Sequence, residues 1–344
     1  MRLLNSSSYA CVWFHEIRMM RHPKDFIVVA IFLMLGFYFL YNNGHHDKRE
    51  YKFKDLKDQG IIDERAADKN STLHDSLVFP SHVKYFTSKL EYAYSKSGTD
   101  LQSLQKKVED RRSKLKRSPK YGEDQSCAIG DRIPGLIKLF DAWAHMADLF
   151  NVRYLLIYGS LVGAERDRNI VPYDLDVDVM MPEDDVPKLL KMVDRHFTVD
   201  DNKIHLTIHP EYKTYWRKRT KICCNGEISR GPGSWTCWDQ CAVPNPLGRL
   251  ILGHKLHVGI IGYKMIESGS VLKMTCHEEY GFSTEYKWVD MIPKDCEFLG
   301  HKTYCPTNPD PMSQAIYGKD WRDPDRKCKN GKWTKISNVP SKYY

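Results

Sequence analysis

Acid and apolar residues alternate through Asp174-Leu175-Asp176-Val177-Asp178. Successive side chains of an extended chain point to opposite faces. The run therefore asks for a strand with three carboxylates on one face and the apolar residues on the other. Adjacent like charges repel, and two arrangements relieve them: a cation seated among them, or an exposed strand edge blunted by charge. Oxygen ligands at this spacing suit Mg²⁺ or Mn²⁺, which bridge protein carboxylates and substrate phosphates. Upstream, Tyr158-Gly159-Ser160 closes the apolar run 153–158, and Ser160 opens a helix with Gly163 in its first turn. Unpaired backbone N–H groups at a helix start attract an anion, and Gly159 lets a phosphate come close. A phosphate cradle facing a carboxylate-held metal is the equipment of nucleotidyl or phosphoryl transfer.

The rest of the chain reads as an anchor, a stalk and a compact domain. Residues 26–41 hold sixteen residues without a charge, about 24 Å as a helix against a hydrocarbon core of about 30 Å. With no small-residue cleavage site close behind it, the run reads as an uncleaved signal anchor rather than a removed signal peptide, the alternative being a buried core helix. Basic residues flank both sides, so charge does not orient the span. The short tail 1–25 and the long downstream chain favour a type II orientation. Asn70-Ser71-Thr72 is then a lumenal glycosylation acceptor, and nine of the ten cysteines, from Cys127 to Cys328, lie on the oxidising side. Residues 42–128 read as a lumenal stalk, with Leu90, Tyr94, Leu101, Leu104 and Val108 on one or two amphipathic helices broken at 97–99.

The compact domain, 129–344, opens with a helix over 136–149. Strands are expected at 153–158, 175–181, 204–208, 212–217 and 255–263, with a helix over 183–196. This alternation is an α/β (α+β) pattern with a small mixed sheet and flanking helices. A net charge of +8 without a basic block, finger or aromatic RNP-type signature speaks against nucleic acid and fits an anionic substrate or a basic solvated surface.

The run Tyr158-Gly159-Ser160-Leu161-Val162-Gly163-Ala164-x-Arg166, followed by Ile170-Val171-Pro172-Tyr173-Asp174-x-Asp176-x-Asp178, resembles the signature of the LicD and fukutin-related family. Tyr317-Gly318-x-Asp320-Trp321-x-x-Pro324 is similar to that family's closing segment, and the resemblance extends over residues 130–326. It implies a nucleotidyltransferase-like fold and a Golgi phosphotransferase. Such an enzyme moves an alcohol phosphate, of the phosphoribitol or phosphocholine type, from a CDP-linked donor to a glycan of glycoproteins or glycolipids. By the same resemblance Asp176 and Asp178 hold the metal, Asp174 assists or orients, and Gly159 and Ser160 hold the donor's phosphates. Arg166 either pairs with phosphate or braces the loop through a carboxylate. Many members carry a third acid where this chain has Gly259; His257, two positions away on the same face, is a substitute or a packed surface histidine.

Two rivals remain open at this point: an Asp-x-Asp nucleotide-sugar glycosyltransferase, and a fukutin-like binding or scaffold protein that has lost turnover. Cys223, Cys224, Cys237 and Cys241 form either disulfides or a structural Zn²⁺ site. Cys276, Cys296, Cys305 and Cys328 would add bridges, leaving one of the nine unpaired for a disulfide-linked or other Golgi partner.

Overall fold

The structure is a computed structural model that describes residues 77–336 except 80–82, 84, 123, 125, 128–129, 201, 229–236, 238, 243–244 and 276–283. The tail, the apolar run 26–41, the stalk up to residue 76, Asn70 and Cys276 lie outside the described residues. Among the described residues no helix is long and apolar enough to cross a membrane.

Helix α1 (Phe86–Ser97) places Phe86, Leu90, Ala93 and Tyr94 on one buried stripe, the spacing of an amphipathic helix. It ends where Gly98 takes the left-handed conformation, φ 71°. Helix α2 (Leu101–Arg112) follows, capped by the Asp100 carboxylate, which accepts from the Gln102 N–H at 3.0 Å. These two helices fall in the stretch expected to be stalk, yet Leu77, Phe86, Leu90, Ala93 and Tyr94 belong to the main hydrophobic core. Apolar stripes of this width need a partner, and here the partner is the domain itself. The compact unit thus takes in residues well before 129.

Helix α3 (Ile133–Leu149), opened by Pro134 in its first turn, buries Leu136, Leu139, Phe140, Trp143 and Met146. The Tyr94 hydroxyl ties α1 to it by donating to the His145 carbonyl at 2.8 Å. Strand β1 (Leu155–Leu156) leads directly into α4 (Tyr158–Asp167), and then come β2 (Val177–Pro182), β3 (Ile204–Ile208), β4 (Gly248–Leu252) and the long β5 (Leu256–Ile266). Strands β6 (Val271–Met274) and β7 (Glu285–Lys287) continue from the far half of β5. The sheet order is β1-β2-β5-β4-β3, with β2 parallel to β5 and the other neighbours antiparallel. A mixed α/β domain with a small mixed sheet and flanking helices is therefore observed, as the sequence pattern asks. The hairpin β8 (Pro293–Phe298) and β9 (His301–Pro306), helix α5 (Asp310–Tyr317) and the ribbon β10 (Arg326–Lys329) with β11 (Lys332–Lys335) complete the chain.

Several expected elements differ, each for a local reason. The run 153–158 is a strand only at Leu155–Leu156, because Tyr158, with φ 52°, already turns the chain into α4. The helix expected over 183–196 shortens to one α-turn at Val186–Leu189. Beyond it Asp194 bends away: its N–H bonds the Leu206 carbonyl (2.8 Å) and its carboxylate takes the buried Lys89 ammonium (2.8 Å) and His205 Nδ1 (3.0 Å). The run 212–217 is not a strand. The buried Arg219 guanidinium claims the Tyr212 and Thr214 carbonyls at 2.8 and 2.9 Å, folding the segment into turns.

Four disulfides join Cys127 to Cys328, Cys223 to Cys237, Cys224 to Cys241 and Cys296 to Cys305. All four candidate zinc ligands are thus paired, and none is left as the thiolate that Zn²⁺ requires. Asp239 sits beside both central bridges, accepting from the Cys224 N–H (2.9 Å) and the Cys241 N–H (3.1 Å).

Candidate functional site at the acidic end of strand β2

Of the three acidic positions, only Asp178 lies within β2; Asp174 and Asp176 precede it. The turn 171–174 that leads into them is closed by the Asp174 N–H bonding the Val171 carbonyl at 3.0 Å. Strand alternation alone therefore does not bring the carboxylates together. They still share one electrostatic environment: Asp174 and Asp176 both act on Asp178, and Asp176 acts on Asp174. Asp174 is buried, Asp176 and Asp178 half-buried, and Leu175 between them is 52% exposed.

The helix start and the acidic turn are built for one another. An added Cβ on Gly159 would lie 2.5 Å from Asp174 Oδ2, so only glycine lets this carboxylate rest on the first turn of α4. An anion is favoured at that end of a helix. A side-chain carboxylate thus sits where the sequence suggests a donor phosphate. The Ser160 hydroxyl, almost wholly buried, accepts from the Asp178 N–H at 2.9 Å, while the Ile157 N–H bonds the Asp178 carbonyl at 3.3 Å. Ser160 therefore stitches α4 to β2. Arg166 Nη2 donates to the Tyr121 hydroxyl at 2.8 Å rather than to a carboxylate, the guanidinium lies over that ring, and its charge acts on Asp174. Val162 and Val171 pack against Trp321, whose indole N–H donates to Asp310 at 3.0 Å. The Tyr-Gly-x-Asp-Trp segment is thereby a buttress for α4.

Across the sheet, Asp178, Gly259, Arg249 and Thr207 stand in register on β2, β5, β4 and β3. They occupy the face away from α3, which packs on Leu252 and Leu256 of the other face. An added Cβ on Gly259 would lie 2.2 Å from Asp178 Oδ1. The space beside Gly259 is taken by the Asp178 carboxylate. Arg249, buried, donates to the Gln240 carbonyl at 3.0 Å and to the Asn245 carbonyl, so these two partners are neutral. Its charge opposes Asp178 and, with that of Arg132, Asp176, while Arg166 opposes Asp174.

Burial, reinforced by the neighbouring carboxylates, raises Asp178 well above the usual range, and burial with Asp176 pushes Asp174 up to about 7. Burial also raises Asp176, against the pull of Arg132 and Arg249. His257, on the same face of β5, is pushed down to about 4 by burial, Arg249 and Arg132, and its buried Nδ1 has no hydrogen-bond partner. It is a neutral imidazole at neutral pH.

The donor set for a cation is all carboxylate oxygen, which selects Mg²⁺ or Mn²⁺ over softer metals. The three carboxylates do not converge to within 4.8 Å of one another; among the described residues, that spacing is met only where Asp239 meets the two central disulfides. Mg²⁺ commonly uses only one or two carboxylates together with substrate phosphate. Crowded, half-buried acids of raised proton affinity fit that use. Arg249 and Arg132 were not singled out from sequence. The part of Arg249 follows from strand register, its only local signal being a basic residue within the apolar run 247–252, whereas Arg132 stands at the N-cap of α3.

Residues 151–223 match a family model described as LicD/FKTN/FKRP, nucleotidyltransferase domain. The matched stretch spans β1, α4, the acidic turn, β2 and β3, and bears out the resemblance seen in residues 158–178. No curated protein matches the chain significantly.

Proposed function

We propose that this chain, carrying a LicD-type nucleotidyltransferase stretch over residues 151–223, is a metal-dependent phosphotransferase. It would move an alcohol phosphate, of the phosphoribitol or phosphocholine type, from a CDP-linked donor to a glycan. The LicD family supports phosphotransferase chemistry in general. The observation that carries the finer reading is the acidic turn held against α4, with Arg249 in register across Gly259.

Asp176 and Asp178 are the residues that would hold Mg²⁺ or Mn²⁺, with Asp174 orienting them, and the cation would neutralise the donor's diphosphate. The chain's own work is positioning. Ser160 fixes the Asp178 backbone, Gly159 seats Asp174, and Arg166 with Tyr121 keeps α4 in place. Arg249 adds fixed positive charge on the side facing the cavity described below. In the transfer the acceptor hydroxyl oxygen bonds to phosphorus, the bond to the CMP oxygen breaks, and the hydroxyl proton goes to solvent or a base.

The fukutin-like scaffold reading drew on Gly259. Asp178, one of the two acids assigned to the cation, lies against that position, so the activity test below is what separates the two readings. The setting would be a type II Golgi membrane protein anchored through residues 26–41, supported by the uncharged run and the density of paired cysteines.

The test uses the full chain in detergent with Mn²⁺ or Mg²⁺ and mixed glycan acceptors. CDP-ribitol, CDP-choline, CDP-glycerol and a set of UDP- and GDP-sugars are offered as donors. Acceptor-dependent release of CMP, abolished in Asp178→Asn, is expected. Release of UDP or GDP would replace the reading by a glycosyltransferase, and no release with any acceptor would reject it.

A further inference from the structure

On the far side of Arg249 from Asp178, a cavity of about 110 Å³ opens among β3, β4 and residues 222–226 and 240–241. At roughly 10–15 Å³ for each water-sized occupant, it has room on the order of a single sugar ring. Its walls combine apolar groups, Phe197, Tyr212 and Leu247 among them, with polar ones such as Thr207 and Gln240. That mixture of an apolar body with a few placed polar groups is typical of a small-molecule site.

The charge of the lining is one-sided. Among the described lining residues, Arg195, Lys213 and Arg249 carry positive charge beside the imidazoles of His196 and His209, and the one carboxylate, Asp194, is bonded to Lys89 at 2.8 Å. The floor is built rather than incidental. Asp194 and His205 are buried and bonded to each other, and Phe197 stacks on the His205 ring at 3.9 Å. His209 has both ring nitrogens engaged, with the Thr220 carbonyl and the Glu211 N–H. Disulfides Cys223–Cys237 and Cys224–Cys241 hold the outer wall. Arg249 belongs to both places, lining the cavity and standing one strand from Asp178.

We propose that this cavity binds an anionic sugar of the acceptor, a phosphorylated or carboxylated ring. Lys213 and Arg195 would draw it in at the rim, and Arg249 would separate its charge from the carboxylates. The proposal rests on the transferase reading for the word acceptor, but not for the binding itself. Because the compensating charge comes from the protein, binding here needs no divalent cation, unlike a diphosphate at the acidic turn.

The experiment is calorimetric titration of the full chain in detergent with EDTA present, using glucose 6-phosphate, glucuronate and glucose. At least one anion is expected to bind at least tenfold more tightly than glucose, and the preferred anion names the acid. Lys213→Glu, at an exposed position and checked by an unchanged thermal melt, is expected to weaken that anion at least tenfold. Arg195→Glu, exposed likewise, should do the same. No anion binding in EDTA, or binding untouched by both substitutions, overturns the proposal. Binding abolished by Asp178→Asn while surviving both rim variants also overturns it, because the anion would then sit at the acidic turn. Anion binding without CMP release would reject the transferase reading alone; CMP release without anion binding would reject the cavity alone.

Discussion

Replacing Gly259 by alanine sets two opposite expectations against each other. Within a strand, alanine is ordinarily better than glycine by about 0.5–1 kcal/mol, because it loses less backbone freedom on folding. Here the new methyl would start 2.2 Å from Asp178 Oδ1, and ordinary contact begins near 3.4 Å, so the two must separate by roughly 1.2 Å. Overfilling a packed site in this way costs about 1–3 kcal/mol. Subtracting the one from the other leaves a net cost between about zero and 2.5 kcal/mol in equilibrium urea unfolding, at the low end if the Asp178 carboxylate swings aside. A shift of about 1 Å in a reacting group also costs on the order of a hundredfold in rate, so CMP release should fall steeply. The control is the same change made in Asp178→Ala, where no carboxylate is left to strike. There alanine at 259 should be neutral or stabilising, giving a coupling of about 1–3 kcal/mol between the two sites. A Gly259→Ala protein more stable than its parent, or the same effect in both backgrounds, would refute the reasoning.

Two further outcomes follow from the packing. In a loop-entropy account, closing the 201-residue separation of Cys127 and Cys328 contributes about 5 kcal/mol, against about 3 kcal/mol for the 9-residue separation of Cys296 and Cys305; paired Cys→Ser variants, compared by thermal melting, should lose stability in that order, and the reverse order would count against this pairing. Burial, with the neighbouring His301 and Arg112 charges, pushes His145 down to about 4, so below pH 6.5 the unfolded chain gains a proton that the folded chain refuses. Stability present above pH 6.5 is then lost as pH falls toward 4, by about 2 kcal/mol for this group at pH 5; His145→Gln should flatten the pH dependence of the urea midpoint by that amount, and parallel curves would contradict it.

What could be read from the sequence was what is encoded locally. Strand β3 appears at 204–208 as expected, since a short run of apolar and β-branched residues suits a buried strand, and the break at Gly98 is where composition puts it. The Gly-Ser turn and the acidic run meet because both lie in one short, matched stretch. What was missed depends on partners distant in sequence. The run 212–217 looks extended until Arg219 takes its carbonyls. Helix α1 looks like stalk until Lys89 finds Asp194, 105 residues away. Arg249 has no motif at all; its place beside Asp178 follows only when β4 and β5 pair in this register with Gly259 between them.

The four disulfides also impose an order of assembly. Cys223 and Cys224 are neighbours, and their partners Cys237 and Cys241 lie only 14 and 17 residues on. These bonds are available early in synthesis, when nothing but local geometry distinguishes the correct pairing from its exchange. Cys127 must wait until Cys328 has emerged, 201 residues later. Through that interval it is an open thiol beside growing chain, available to whichever cysteine appears first. Correct maturation would thus depend on thiol–disulfide exchange staying possible until the last strands form, and a premature oxidant would trap the chain with its two ends untied.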